Sequence, residues 1–318
     1  MALKLFFAMT LTLLLLFGFL FGLLAALGYF FGVSGYVIVL LAIILLIIQW
    51  YVSPKIIWWT TNMRLLEKNE YPWLWKEVEK LCKKTKTPLP KLALVRSGSP
   101  NAFVFGRTPK SAVLAVTRGL LNTLTKDEIR AVIAHEIGHI NHKDMIVMTV
   151  AAAIPVIAYF IARFLIFAPT KRERRGGVAV LVGVCAFLVY FISNLLVLFL
   201  SRLREFYADR FSGIHTKPSL LASALAKITY GLSFSREREN SAVRAFYIAD
   251  PLTAAKEVSE FKDEFSDFKL DEKELERAME WEKRNPLIRF LEIFQTHPLT
   301  WKRIKNLIEL EKEISRKT

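Results

Sequence analysis

His135-Glu136-Ile137-Gly138-His139 places two histidines four residues apart, with a glutamate beside the first. The surrounding stretch, Lys126 to Lys143, reads as one helix opened by Thr125 as N-cap, with Glu128 three residues later. Positions i and i+4 stack on one helix face, so both imidazoles can meet a single metal ion. Neutral imidazole suits zinc, and two such ligands leave room for a third protein ligand and a water. Glu136 then stands where it can take a proton from that water and pass it on. Three of the five histidines in the chain, His135, His139 and His142, fall within eight residues. His142 shares nearly the same face as His139, but it lies roughly 10 Å along the axis from His135, so the three cannot hold one ion. Pairing His139 with His142 would leave Glu136 out of place as base, so His142 reads as a polar residue at the helix end. His215, in Gly213-Ile214-His215-Thr216-Lys217-Pro218, reads as exposed in a loop.

Composition sets this motif in a membrane protein. Residues are 53% hydrophobic with mean hydropathy +0.33, yet the net charge is +15 and the pI about 9.8. Apolar and charged residues must therefore be segregated along the chain. Leu5–Phe31, Tyr36–Val52 and Val178–Leu200 carry no charge, and Met145–Ala168 carries only Arg163. Each run is long enough to cross a hydrocarbon core of about 30 Å. The first run is too long for a signal peptide and a second follows at once, which favours a transmembrane hairpin. The fold class expected is a mainly α membrane protein, four apolar helices in two hairpins, with a zincin-like α+β catalytic domain carrying a small sheet. The expected divisions are a hairpin at 1–52, the first catalytic part at 53–144, a second hairpin at 145–200, and the second catalytic part at 201–318.

Two crossings return the chain to the side it left, so both polar blocks share one side. Eleven Lys and Arg near the membrane ends fall on that side, against five on the other: Lys171, Arg172, Arg174 and Arg175 in the turn between the third and fourth runs, and Arg163 at the end of the third. This asymmetry puts the polar blocks in the cytoplasm, in a multi-pass protein of the cell membrane. The basic residues show no nucleic-acid-binding motif, so their expected partner is anionic lipid and no nucleic acid. Cys82 and Cys185 lie in a polar block and an apolar run and do not read as a disulfide. Lys91–Arg96, Ala102–Phe105 and Ala112–Thr117 read as short strands ahead of the metal helix. The charged stretch Glu257–Arg284 reads as a solvated helical face or mobile segment without chemistry.

A third ligand is expected from a carboxylate on another helix. Ser201-Arg202-Leu203-Arg204-Glu205-Phe206-Tyr207-Ala208-Asp209 supplies it at the exit of the fourth apolar run. Glu205 and Asp209 are again i and i+4, so Glu205 can bind zinc while Asp209 reaches a ring N–H of a ligating histidine and fixes its tautomer. The competing reading is a surface salt-bridge face among the arginines. The hairpin between the two motifs, which brings them back to one side of the membrane, favours the metal reading.

These segments, with Pro100-Asn101-Ala102-Phe103 and His297-Pro298, resemble the HtpX-type membrane-bound zinc metalloproteases, gluzincins related to the CAAX prenyl proteases. The resemblance covers nearly the whole chain. It implies that Asn101, Ala102 and Phe103 belong to an edge strand that receives the substrate backbone. It implies that His297 stabilises the oxyanion, and that the activity is quality control of unfolded or misassembled membrane proteins. The surroundings of His297, Gln295 to Trp301, depart most from the family pattern, and an ordinary helix-start histidine is the alternative there.

The expected enzyme is thus a zinc metalloendopeptidase with one zinc per chain. Three other classes stand beside it. An intramembrane protease would bury its metal motif in an apolar span, whereas Glu128, Arg130, Asn141, Lys143 and Asp144 surround this one. A prenyl-protein protease would share the zinc site but enclose a lipid-sized chamber, usually with more spans. A non-catalytic scaffold has no use for Glu136.

Overall fold

The computed structural model describes residues 2–31, 35–167, 173–231, 279–280 and 282–316. It divides into two compact units. The first comprises Met1–Ser53 and Ile146–Leu203, the second Pro54–Met145 and Arg204–Thr318. The helices are α1 (Ala2–Phe31), α2 (Gly35–Thr61), α3 (Pro72–Thr85), α4 (Arg118–Thr123), α5 (Lys126–Asn141), α6 (Asp144–Phe167), α7 (Glu173–His215), α8 (Pro218–Gly231), α9 (Pro286–Leu291) and α10 (Thr300–Ser315). The strands are β1 (Met63–Leu65), β2 (Lys91–Val95), β3 (Ala102–Phe105) and β4 (Val113–Thr117).

In the first unit, α1, α6 and α7 pack along their lengths. Leu16 is buried with Ala151, Ile154, Val197 and Leu200, and Leu23 with Ala158, Ala162 and Ala186. Small residues at these contacts let the backbones approach, as in helix packing within a bilayer. Large apolar side chains such as Phe7, Phe21 and Leu181 stay exposed, as acyl chains would require. Among the described residues three stretches are long and apolar enough to cross a membrane: Phe6–Ala25, Asp144–Arg163 and Gly177–His215. Helix α7 has 43 residues, so it rises roughly 65 Å, about twice the thickness of a hydrocarbon core. Its last turns, with Glu205 and Asp209, belong to the second unit.

The second unit is built on a mixed sheet of order β1-β2-β4-β3. β2 runs parallel to β4, with β1 and β3 antiparallel at the two edges. Side chains alternate across it. Leu92, Leu94, Ala102, Leu114 and Val116 join a core with Leu74, Val78, Ile129, Ile133, Ile137, Leu225 and Leu307. Ala93, Val95, Phe103, Phe105, Val113 and Ala115 meet Ile57 and Trp58 at the end of α2 on the other face. With both faces covered, the strands read as continuous apolar runs rather than alternating ones. Strand β1 went unanticipated because three residues carry too little pattern. Helix α2 runs through Pro54 to Thr61, past the expected end at Val52, because Ile57 is needed under the sheet.

Of the charged stretch Glu257–Arg284, most lies outside the described residues. Glu280 and Arg284 pair at the surface. Glu282 is buried and accepts from the backbone N–H groups of Thr300 and Trp301 at 3.0 Å each. It thereby caps α10, whose first turn has four backbone donors without an intrahelical partner.

Candidate metal centre

Helix α5 begins with the anticipated reciprocal cap. The Thr125 hydroxyl accepts from Glu128 N–H at 3.3 Å, and Glu128 Oε2 accepts from Thr125 N–H at 2.8 Å. Its metal-bearing turn lies against α7 because Gly138 has no side chain. A Cβ there would meet Phe211 at 3.2 Å and the Ala208 backbone at 3.3 Å. Even an alanine there would require Phe211 and the α7 backbone to give by a few tenths of an ångström. Ser212 ties the same two helices, donating to the Ala131 carbonyl at 2.6 Å.

This packing brings His135, His139 and Glu205 together, with one donor atom from each within 4.8 Å of the others. His135 Nε2 and His139 Nε2 are 3.2 Å apart. Glu205 Oε2 is 3.5 Å from His135 Nε2, and Glu205 Oε1 is 3.4 Å from His139 Nε2. Ligands at zinc bond lengths of about 2.0–2.2 Å in a tetrahedron stand roughly 3.3–3.6 Å from one another. The two imidazole nitrogens are spaced close to that range, each has a Glu205 oxygen near it, and the donor set of two imidazoles and a carboxylate suits that ion. Four carboxylates, Glu136, Glu205, Asp209 and Asp144, are buried here beside two arginines, Arg204 and Arg303.

Glu136 is buried in the same turn, and burial pushes its carboxyl above the usual range against the opposing pull of His139 and His135. A raised proton affinity is the direction that favours a proton acceptor. Asp209 Oδ1 lies 3.0 Å from His135 Nδ1. His297 lies beside the third carboxylate, with Nδ1 3.3 Å from Glu205 Oε2, and both of its ring nitrogens are buried without a hydrogen-bond partner. Asn101 is buried and its backbone is tied to Thr117, whose hydroxyl accepts from Asn101 N–H at 2.8 Å. Ala102 and Phe103 are also buried, on opposite faces of β3. That strand has a sheet neighbour, β4, on one side only among the described residues.

His142 stands apart from the cluster. It is the C-cap of α5, its ring edge-on to Tyr207 and Phe211 at 5.8 and 5.6 Å. Burial brings its pKa down to about 4, so it is neutral. His215 is the last residue of α7, not a loop residue, and half-buried against Phe211 at 4.5 Å. The helix reaches that far because Lys217, the residue preceding Pro218, is the one barred from helical geometry.

Three buried residues around this cluster carry no signal strong enough to find in the sequence. Arg303, on α10, is 1% exposed. Its Nε and Nη2 donate to the two oxygens of Asp209 at 2.9 and 2.6 Å, and its Nη1 lies 3.1 Å from Glu205 Oε2. Burial opposes its charge, but Asp209 and Glu205 outweigh burial and raise its pKa further. Asp144 is in contact with His139, and Arg204 pairs with Asp144.

The sequence profile of peptidase family M48 matches residues 68–311. The chain is similar to the protease HtpX homologue of Methanothermobacter thermautotrophicus, 42% identical over 221 residues, which cover 69% of this chain and 83% of that one. It is 32% identical to the HtpX homologue of Methanocaldococcus jannaschii over 309 residues, covering 95% of this chain and 97% of the relative. Among solved structures, the crystal structure of S. mikatae Ste24p has a similar fold, with a TM-score of 0.52 at 19% identity. That likeness covers 96% of this chain and 66% of the other. With the metal-binding cluster, the apolar helices and this similarity in hand, the chain belongs to peptidase family M48 and is a membrane metalloprotease of the HtpX type.

Proposed function

We propose that one zinc ion per chain is held by His135, His139 and Glu205, and that the enzyme cleaves unfolded or misassembled membrane proteins. The observation that carries the metal reading is the convergence of His135, His139 and Glu205, which offer one donor atom each within 4.8 Å of one another. When bound, zinc would polarise the scissile carbonyl and acidify the attacking water. Glu136 accepts the proton of that water and later donates it to the leaving amine. Asp209, held by Arg303, keeps the proton of His135 on Nδ1 and turns Nε2 to the ion. An extended segment of substrate can add to the open side of β3 near Asn101, Ala102 and Phe103. Such pairing uses main-chain hydrogen bonds with little sequence preference, which suits a surveillance enzyme.

Elemental analysis of the detergent-solubilised protein tests the ligand set. Near one zinc per chain is expected in the wild type, and loss of tight binding on replacing His135, His139 or Glu205 by Ala. Tight zinc binding that survives Glu205→Ala would remove Glu205 from the site.

In this reading His297 serves the transition state. Negative charge develops on the carbonyl oxygen as water attacks, and a fixed N–H there acts on kcat more than on KM. The position of the ring, with Nδ1 3.3 Å from Glu205 Oε2, supports that role. His297→Ala is expected to keep zinc and to lose roughly 10²–10³ in kcat, the cost of one such donor. Cleavage of an unfolded substrate at wild-type rate by this variant would make His297 structural.

The fourth crossing, the two-hairpin organisation at 1–52 and 145–200, and a cytoplasmic catalytic domain at 53–144 and 201–318 complete the proposal. The Lys and Arg asymmetry supports that orientation. Reporters fused at Ser53 and at the C-terminus should read cytoplasmic, and one in the Phe31–Gly35 turn external. A cytoplasmic reading from that turn would overturn the first hairpin.

A further inference from the structure

The two ligating histidines are supported in the same way. His135 meets Asp209 through Nδ1, and Asp209 is neutralised by the buried Arg303. His139 Nδ1 lies 2.6 Å from Asp144 Oδ2, and the other oxygen of Asp144 is paired with Arg204. Asp144 and Arg204 are 6% and 4% exposed, so this second pair is as sheltered from water as the first. Arg204 also donates to the carbonyl of His142 at 3.0 Å. One guanidinium therefore holds both the carboxylate and the turn that presents it. That turn is tight: Lys143 between α5 and α6 sits at φ 60, a left-handed conformation that non-glycine residues rarely adopt.

We propose that Asp144, held in place by Arg204, is a positioning residue for the zinc ligand His139, giving the site a second carboxylate–histidine arm beside Asp209 and His135. With Nε2 turned toward His135 Nε2 and Glu205, the His139 proton resides on Nδ1 and is donated to Asp144. A hydrogen bond from an imidazole N–H to a carboxylate raises the basicity of the other nitrogen and fixes the ring plane. Arg204 is adjacent in sequence to Glu205. The same ion pair therefore constrains the helical turn that delivers the third ligand, and two of the three ligands depend on it. A purely structural role, tying the α5–α6 turn to α7, would stabilise the fold without touching the metal.

The inference rests on the zinc reading above, and the experiment separates the two. Full-length wild type and Asp144→Asn in detergent are titrated with zinc against a chelator of known affinity, then loaded with Co²⁺ to record ligand-field bands. Zinc affinity is expected to fall about 10–100-fold and the cobalt bands to shift. A lowered melting temperature with unchanged affinity and unchanged bands would overturn the positioning role and leave a structural one. A second measurement needs no variant at Asp144: zinc-loaded wild type labelled with ¹⁵N-histidine should show His139 protonated at Nδ1, with a downfield proton. Protonation at Nε2 instead would overturn the proposal even if Asp144→Asn fails to fold. Absence of stoichiometric zinc in the wild type would defeat the zinc reading itself, and this inference with it.

Discussion

Replacing Glu136 by Gln is expected to leave one zinc per chain and to lower kcat by roughly 10²–10⁴-fold, the contribution of a positioned general base. That loss corresponds to about 3–5 kcal/mol of transition-state stabilisation. Gln matches Glu in shape and keeps a carbonyl oxygen for hydrogen bonding, but it cannot accept the proton of the attacking water at neutral pH. The side chain is buried beside both histidines, so the substitution changes charge and proton affinity with little change in volume. KM should move little, because the base contributes to the transition state more than to substrate binding. Single-turnover cleavage of an unfolded protein, paired with zinc analysis of the same preparation, gives both numbers. Wild-type turnover in Glu136→Gln would exclude Glu136 as base, and loss of zinc would show that its carboxylate holds the site together instead.

Arg303→Met is expected to destabilise the second unit by about 3–5 kcal/mol, the cost of stripping one partner from a buried ion cluster. Arg303 faces two carboxylates, Asp209 and Glu205, from a position 1% exposed to solvent. Methionine fills much of the same volume, so the loss comes from charge left uncompensated. For a unit of this size the change corresponds to roughly 6–20 °C in Tm. Replacing Asp209 by Leu in the same chain removes one of the orphaned charges and should recover part of the lost stability while weakening zinc binding, because His135 loses its partner. A Tm for Arg303→Met within about 2 °C of wild type, at the lower bound of this scaling, would refute the account.

The sequence and the structure divide the site between them in a physical way. The α5 helix, its Thr125–Glu128 cap and the pairing of His135 with His139 follow from spacing within a few turns, where helical geometry alone relates the residues. Glu205 and Asp209 were legible because they repeat the four-residue spacing at the end of an apolar run. The strands β2, β3 and β4 were legible from β-branched runs between turn residues. In each case the information is local, and the chain needs no distant contact to express it.

Arg303 could not be found that way. It is one of several basic residues in Thr300–Ser315, a helix whose remaining charges face solvent. Only the packing of α10 against the end of α7 makes it the partner of Asp209, 94 residues away. Asp144 is a subtler case, five residues after His139. On a continuing helix it would lie about 140° around the axis, far from the ring. The left-handed turn at Lys143 breaks the helix and swings Asp144 back under His139. The sequence alone therefore determined which side chains are the candidates for the chemistry, because helical periodicity sets which side chains of a helix can share one metal ion. Tertiary structure decided which buried charges hold those side chains in place, because a buried carboxylate and its arginine are matched by packing, and no spacing along the chain encodes the match.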